Sequence, residues 1–318
     1  MNKKIVVFIS ILFLALCGVL LVKKSQKGHD KYVIGLIQSA SFPNLDYARE
    51  GFIAEIKKEL GAEKVEIIVQ NAEGSLTQAQ AIASSFKANK NIDAFYAIAT
   101  TAAQALKREI TDKPIVFAAV TDPVGLHMRD KNSNMTGSSD MADIPKQILY
   151  IKELLPNVKK VALLYNVGEP NSVTLVKSMK EELTKQNILF EDDGINSESD
   201  VAAATAHAVV NAELILVPTD NSVTSAFPIV KQIAKKAHIP VVVTWTGESK
   251  DPLMQFGVDY KQSGEQAAQL MAEILVDKKA PIEIPFVFPT NKVLLSASEL
   301  KIFNITIPES LKSIVTVY

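Results

Sequence analysis

The stretch that decides the fold is AFYAIATTAAQALKREITDKPIVFAAV, residues Ala94–Val120. An apolar run passes through two threonines into a segment with apolar residues at helical spacing, and a proline then precedes a second apolar run. Short apolar runs that alternate with helical segments are typical of βαβ units in a parallel sheet. The stretch Leu214–Thr244, LILVPTDNSVTSAFPIVKQIAKKAHIPVVVT, has the same order of elements, so both halves of the chain contain this unit.

The same alternation extends outward from both stretches. In the first half we predict strands at 31–38, 65–69, 94–99 and 114–120, and helices at 44–60, 76–88 and 101–110. In the second half we predict strands at 158–166, 188–190, 214–217 and 240–244, and helices at 172–185, 199–210, 222–237 and 262–276. Residues 121–143 have little periodicity and several Gly, Ser and Asn residues, which favours a connection between the halves. The predicted fold class is therefore α/β, with two doubly wound parallel-sheet lobes.

The N-terminal residues 1–24 differ from the rest of the chain. Two lysines precede Ile5–Val22, a run of eighteen uncharged residues, and further lysines follow it. This pattern predicts a signal peptide or a membrane anchor, and a helix of roughly 27 Å fits either alternative. Cys17, in LALCG, resembles the lipidated residue of a bacterial lipoprotein cleavage box; the alternative is an ordinary apolar residue of the helix.

Composition and motifs exclude several functional classes. The 318 residues carry a formal net charge of −1, so no basic excess suggests nucleic acid as a partner. The sequence has no GxGxxG and no GxxxxGK[ST] motif, and its four histidines have no metal-ligand spacing. The single cysteine rules out an internal disulfide, and its place in the N-terminal run rules out a catalytic thiol in the body. We therefore expect no cofactor, no metal and no enzymatic activity.

Polar side chains follow nearly every predicted strand. In an open parallel sheet, ligands bind beyond the carboxyl ends of the strands. Several of these residues would also begin a helix, whose unpaired amide hydrogens and partial positive charge suit a carboxylate. Ordinary helix N-caps use the same residue types, which is the alternative for each residue taken singly. The candidate ligand-binding residues are Gln38, Ser39, Thr100, Thr101, Asp122, Glu169, Asn171, Ser172, Thr219, Asp220, Asn221 and Asp259.

The segment VPTDNSVTSA, Val217–Ala226, contains more polar side chains than one helix cap needs. We expect Pro218 to help end the strand and Ser222 or Asn221 to cap the helix. Thr219 and Asp220 would then be left to face a ligand. On this interpretation, Asp220→Asn lowers ligand affinity strongly and leaves the thermal unfolding of the ligand-free protein nearly unchanged.

A set of motifs, in order along almost the whole chain after the N-terminal segment, resembles a known family. The sequence is similar to ABC transporter substrate-binding proteins of the tryptophan/tyrosine type, which have the type I periplasmic binding protein architecture. The motifs are GLIQ…FPNLDYAREGF (35–52), QNAEGSLTQAQAIASSF (70–86), AIATTAAQA (97–105), PIVFAAVTDPVG (114–125), NMTGSSD (134–140), YNVGEPNS (165–172), VPTDNSVTSA (217–226), GVDYKQSGEQAA (257–268) and ITIPESL (305–311).

The resemblance implies two lobes joined by a hinge, with a ligand cleft between them. Lobe 1 would comprise 31–121 plus about 258–285, and lobe 2 about 144–255 plus the C-terminal segment 290–318. The protein would be an exported monomer, periplasmic or on the cell surface. It would bind a small molecule, with an amino acid, and an aromatic one in particular, as the first candidate. It would then deliver this molecule to an ABC permease driven by a separate ATPase.

For an amino-acid ligand we expect Thr101 and Ser172 to meet the carboxylate and Asp220 or Asp122 to meet the ammonium. Two alternatives remain open at this stage. One is an extracellular sensing module that signals through a membrane partner, which an uncleaved anchor at 5–22 would suit. The other is an enzyme on the same fold, with Asp122 and Asp220 as paired carboxylates across the cleft.

Overall fold

The computed structural model describes residues 31–247 and 252–318. The predictions for residues 1–24, including the role of Cys17, lie outside the described residues. Within the described ranges, no helix combines the length and the apolar character needed to cross a bilayer.

The first lobe is built on a five-stranded sheet with the order β2-β1-β3-β4-β5. The neighbouring pairs β1–β3, β3–β4 and β4–β5 are parallel. The elements are β1 Tyr32–Gln38, α1 Pro43–Leu60, β2 Val65–Asn71, α2 Leu76–Ala88, β3 Ala94–Ile98, α3 Thr100–Glu109, β4 Ile115–Val120 and β5 Met135–Ser139. Strands β3, β4 and β5 are buried along their whole length because helices cover both faces of the sheet.

The second lobe is built on a seven-stranded sheet with the order β12-β11-β10-β9-β8-β6-β7. Among its strand pairs in the described residues, β10–β11 alone is antiparallel. Its first elements are α4 Ile144–Leu154, β6 Lys160–Asn166, α5 Pro170–Lys185, β7 Leu189–Ile195, α6 Val201–Asn211, β8 Leu214–Val217, α7 Asn221–Ser225, α8 Phe227–Ala237, β9 Val241–Val243 and β10 Met254–Gly257. Helix α9, Tyr260–Asp277, then leaves this lobe. The C-terminal elements β11 Lys292–Leu295, α10 Ala297–Ile302, α11 Glu309–Lys312 and β12 Val315–Val317 complete it. The two α/β lobes confirm the predicted fold class.

Helix α9 returns to the first lobe and packs closely against α1. A Cβ atom on Gly264 would lie 2.0 Å from the carbonyl oxygen of Ala48, and one on Gly51 would lie 2.3 Å from that of Lys261. Both glycines therefore permit a backbone separation that no other residue allows. The close approach fixes α9, and with it Tyr260 at its first turn, against the first lobe.

The chain passes between the lobes three times, at 140–143, 258–259 and 288–291. Two contacts tie these crossings together. Asp143 donates its amide to the Asn291 side chain at 2.8 Å, and the Lys292 ammonium lies 3.0 Å from the Asp259 carboxylate. Several short connections side by side are the usual construction of a hinge.

Three sequence-based boundaries were wrong. Residues 121–143 were predicted as a connection, yet they contain the buried strand β5, which has only one large apolar side chain and therefore little apolar signal. The predicted helix 222–237 breaks into α7 and α8 at Ala226, because Pro228 in the first turn of α8 has no amide to continue a helix. The predicted strand 188–190 extends to Ile195 through acidic residues that an edge strand tolerates.

Candidate functional site

A cleft lies between the lobes, beyond the carboxyl ends of strands β3, β4 and β8. The empty space within it, including its opening to solvent, is about 310 Å³, near the lower end of the range for ligand sites. Both lobes contribute to the walls: Phe42, Asn44, Leu45, Ala99, Thr100, Ala119, Thr121, Asp140, Asn171, Thr219, Asp220, Asn221, Thr224, Trp245 and Tyr260.

The wall of the first lobe contains two alanines with a left-handed backbone. Ala99 has a φ of 71° and Ala119 a φ of 57°, values that L-residues other than Asn and Asp seldom adopt. Ala99 turns the chain from β3 into α3 and occupies the N-cap without a side-chain cap hydrogen bond. Such strain is typical of ligand clamps, and here it directs the first turn of α3 at the cleft.

The wall of the second lobe is organised by Asp220, which is buried. One of its carboxylate oxygens accepts the Val223 amide at 2.8 Å and so caps α7. The other oxygen accepts the Asn166 amide and the Ser172 hydroxyl, both at 2.6 Å. The division expected from the sequence was therefore wrong: Asp220 is the cap itself, because its extended backbone brings the carboxylate over the start of the helix.

Glu169 is the second buried carboxylate on this wall. It accepts five hydrogen bonds: from the amide of Asn171, from the backbone and side chain of Asn221, and from the backbone and hydroxyl of Ser222. Burial, and next the nearby charge of Glu169, raise the pKa of Asp220 to about 7. Glu169 and Asp220 thus hold the loop in place with their own acceptor capacity largely used.

Two buried polar atoms of the cleft wall have no hydrogen-bond partner among the described residues. They are the hydroxyl oxygen of Thr100 and the side-chain carbonyl oxygen of Asn171. The Asn171 amide nitrogen donates to Thr219 O at 2.8 Å and to Glu169 at 3.1 Å, which fixes its oxygen on the other side. Buried polar atoms without a partner are rare, so each requires an explanation.

A buried acid also lies on the wall of the first lobe. Asp140 directly follows β5, and its two oxygens accept the Thr121 hydroxyl at 2.8 Å and the Tyr260 hydroxyl at 3.2 Å. Burial raises the pKa of the Asp140 carboxyl against the lowering effect of these hydroxyls. Sequence reasoning missed Asp140, because strand β5 before it was not recognised.

Aromatic and apolar side chains form the rest of the lining. Trp245 is buried and meets the Phe227 ring edge-on, with 5.6 Å between ring centroids. Phe42, just before α1, approaches the cleft from the first lobe. These rings offer flat apolar surface next to the polar groups, a combination that suits an amphipathic ligand.

The predicted site residues separate into two groups. Thr100, Asn171, Thr219, Asp220 and Asn221 line the cleft. The others lie outside its lining, and most of them support it. The Ser39 hydroxyl accepts a hydrogen bond from the Ala102 amide, and the Gln38 side chain donates to Asp46 and accepts from Arg49. The Ser172 hydroxyl donates to Asp220, and the Asp259 side chain caps α9.

Asp122 also lies outside the lining, and Thr101 beside Thr100 does as well. The Asp122 carboxylate accepts the Gly125 amide at 2.8 Å and so closes a turn. Asp122 and Asp220 therefore do not form a pair of carboxylates across the cleft. Nor does the described part of the chain bring three or more His, Cys, Asp or Glu residues together as a metal site.

Comparison with known proteins identifies the family. The family model of ABC transporter substrate binding proteins matches residues 33–316. A tyrosine-binding protein from Clostridioides difficile is 36% identical over 252 residues, which is 77% of this chain and 73% of that protein. More distant solved substrate-binding proteins share the type I periplasmic binding protein fold. The family consists of binding proteins and not of enzymes.

Two solved structures of other proteins are similar to this chain over most of its length. A domain from Streptococcus pneumoniae in complex with L-Trp is 29% identical to this chain, with a TM-score of 0.84. A ligand-free, open substrate-binding protein from Clostridium difficile is 28% identical, with a TM-score of 0.67. Each match covers 90% of this chain and 99% of the other chain. Asn44 of the first lobe also lies against Gly247 of the second. Residues of both lobes thus line one narrow cleft. The chain belongs to the family of ABC transporter substrate-binding proteins.

Proposed function

We propose that this protein binds a free amino acid with an aromatic side chain in this cleft. It then delivers this amino acid to an ABC permease that is driven by a separate ATPase. The observation that carries the proposal is the pair of buried, unpartnered atoms on opposite walls of the cleft.

The two atoms have complementary chemistry. The Thr100 hydroxyl can donate to a ligand carboxylate, which the amino end of α3 also favours. The Asn171 oxygen can only accept, so it suits an N–H donor such as an ammonium. A ligand that carries both groups would bridge the lobes and favour the closed state, which is how binding drives closure.

The choice of an aromatic amino acid has two supports. Phe42 and Trp245 give the cleft aromatic surface. The similar proteins named above are a tyrosine-binding protein and a domain crystallised with L-Trp.

The location and partners form a separate part of the proposal. Proteins of this family act outside the cytoplasm. We infer that residues 1–24 export this chain and hold it at the membrane, through an uncleaved helix or a lipid on Cys17. The protein would act there as a monomer, since both walls of the cleft come from one chain.

Calorimetric titration of the purified protein with each of the twenty amino acids tests the ligand. We expect L-tyrosine or L-tryptophan to bind most tightly. Absence of binding by every amino acid at millimolar concentration would overturn the amino-acid proposal.

A substitution at Thr100 should separate affinity from stability. In Thr100→Val, the lost hydroxyl makes no hydrogen bond within the described protein, so the unfolding temperature should stay the same or rise. Affinity for the amino acid should fall about 10- to 100-fold, as for one lost hydrogen bond to a charged group. Calorimetry and thermal unfolding measure both.

The matched control is Thr205→Val. Thr205 is equally buried, but its hydroxyl donates to Val201 O inside α6, away from the cleft. Affinity should be unchanged in this variant. A Thr100→Val protein that binds as tightly as the wild type would contradict the role given to the hydroxyl.

A further inference from the structure

Asp140 occupies a distinctive place, at the start of the first crossing between the lobes. It directly follows β5, lines the cleft and is 2% exposed. Its carboxylate accepts a hydrogen bond from the Tyr260 hydroxyl. Tyr260 is the first residue of α9 and directly follows the second crossing. The residue therefore lies where two of the crossings between the lobes come together.

The hydrogen bonds of Asp140 leave its charge poorly compensated. It accepts two side-chain hydrogen bonds, both from neutral hydroxyls. Glu169 and Asp220, the other buried acids of the cleft region, accept five and three respectively, including rigid backbone amides. A carboxylate has about four acceptor positions, so Asp140 keeps capacity that the other two have largely used.

No cationic side chain of the described residues forms a salt bridge with Asp140. The lysine, arginine and histidine nitrogens within 4.0 Å of a carboxylate all pair with other acids in the described ranges. A buried carboxylate without a cation is costly unless a partner supplies the charge. Independently, the Asn171 oxygen on the opposite wall has no hydrogen-bond partner among the described residues, so it is also left to accept from an N–H donor.

We propose that Asp140 receives the ammonium group of the ligand, and that this contact selects amino acids over carboxylic acids without an amine. The inference rests on the proposed function, because it assigns a role within the same cleft. The ammonium would share its protons between Asp140 and the Asn171 oxygen. The ligand would thus be held beside these crossings, between the two walls of the cleft.

The test compares each amino acid with its des-amino analogue. L-tyrosine is paired with 3-(4-hydroxyphenyl)propionate and L-tryptophan with indole-3-propionate, and affinities are measured by calorimetry. The proteins are the wild type, Asp140→Asn and the control Asp122→Asn. Asp122 is an aspartate of the first lobe that does not line the cleft. Asp140→Ser removes the same charge with a smaller side chain, and thermal unfolding shows which variants are folded.

The wild type should prefer the amino acid over its analogue by about 30-fold or more, the range for a charged hydrogen bond. In Asp140→Asn or Asp140→Ser this preference should fall to about threefold. The substitution changes the cleft equally for both ligands, but only the amino acid has an ammonium group that loses its pairing with the Asp140 carboxylate. Asp122→Asn should keep the wild-type preference.

Three results would overturn the inference: a folded Asp140 variant that keeps the preference, an Asp122→Asn protein that loses it, or a wild type that binds both ligands alike. The last result needs no variant, so failure of the Asp140 variants to fold does not prevent a decision. If no amino acid binds the wild type, the proposed function itself fails, which is a different outcome from tight binding with an unchanged preference.

Discussion

Asp220→Asn is expected to lower the free energy of unfolding of the ligand-free protein by about 2 to 3 kcal/mol at pH 5. Both Asp220 oxygens accept backbone amides, from Val223 and Asn166, in a buried position. An asparagine amide group has only one accepting oxygen, so either orientation turns its NH₂ toward a backbone N–H. One buried donor then has no partner, whether or not Asp220 is ionised in the wild type.

The effect of Asp220→Asn should depend on pH. The pKa of Asp220 rises from 3.8 to about 7 in the folded protein. An acid with a raised pKa stabilises the fold fully below its unfolded pKa and loses this contribution as the pH rises through the folded pKa. Between pH 4 and 7 the wild type should therefore lose up to about 1.4 kcal/mol per pH unit through this group. The variant lacks this term, so the difference between the two proteins should narrow toward pH 7.5.

Urea denaturation at pH 5 and pH 7.5 measures both effects, with Asp122→Asn as the control. Among the described residues, the Asp122 carboxylate accepts a hydrogen bond from the Gly125 amide alone. An asparagine oxygen can accept the same hydrogen bond, so the control should stay within about 0.5 kcal/mol of the wild type. If Asp220→Asn unfolds like the wild type at pH 5, Asp220 does not organise the loop as described.

Gly264→Ala is the second substitution with a large expected effect, a loss of about 3 kcal/mol of unfolding free energy. The added Cβ would lie 2.0 Å from the Ala48 carbonyl oxygen, which belongs to the α1 backbone and cannot rotate away. Helices α1 and α9 must separate, and a shift of α1 would disturb the stacking of Phe52, on α1, against Tyr96 of β3. At an open helical position the same change would stabilise the protein by about 1 kcal/mol. A loss of unfolding free energy in Gly264→Ala would therefore indicate the close contact between α1 and α9.

Gln269→Ala, on the exposed face of α9, provides the control for Gly264→Ala. It removes one exposed hydrogen bond, from the Gln269 amide to Glu55 of α1 at 3.3 Å, and adds no atom between the two backbones, so its effect on urea denaturation should stay below about 0.5 kcal/mol. A Gly264→Ala protein as stable as this control would mean that α1 and α9 do not approach as closely as described.

The fold could be predicted because its signal is local. Buried parallel strands such as Ala94–Ile98 and Ile115–Val120 are apolar throughout, and the helix between them has clear spacing. Strand β5 gave no such signal, because MTGSS is buried by its neighbours and not by its own apolar character. Gly137 shows this dependence on context: a Cβ there would lie 2.3 Å from the Phe117 carbonyl oxygen.

The site could be predicted only in outline. Polar residues at strand ends identified Thr100, Asn171 and Thr219 as candidates, and these line the cleft. The sequence could not tell whether an acid faces the cleft or binds its own loop, since Asp220 and Asp140 both follow a strand. The two carboxylates differ in the number and kind of hydrogen-bond donors around them, and these donors come from residues far apart in the chain.

The most direct test of amino-acid binding between the lobes is a crystal structure with the amino acid that titrates most tightly. We expect the ligand in the interlobe cleft, with its carboxylate accepting the Thr100 hydroxyl and its ammonium donating to Asp140 and the Asn171 oxygen. A ligand bound elsewhere, such as in the polar groove between Gly74 and Ser197, would contradict this. So would a ligand in the cleft that leaves the Thr100 and Asn171 oxygens without a partner.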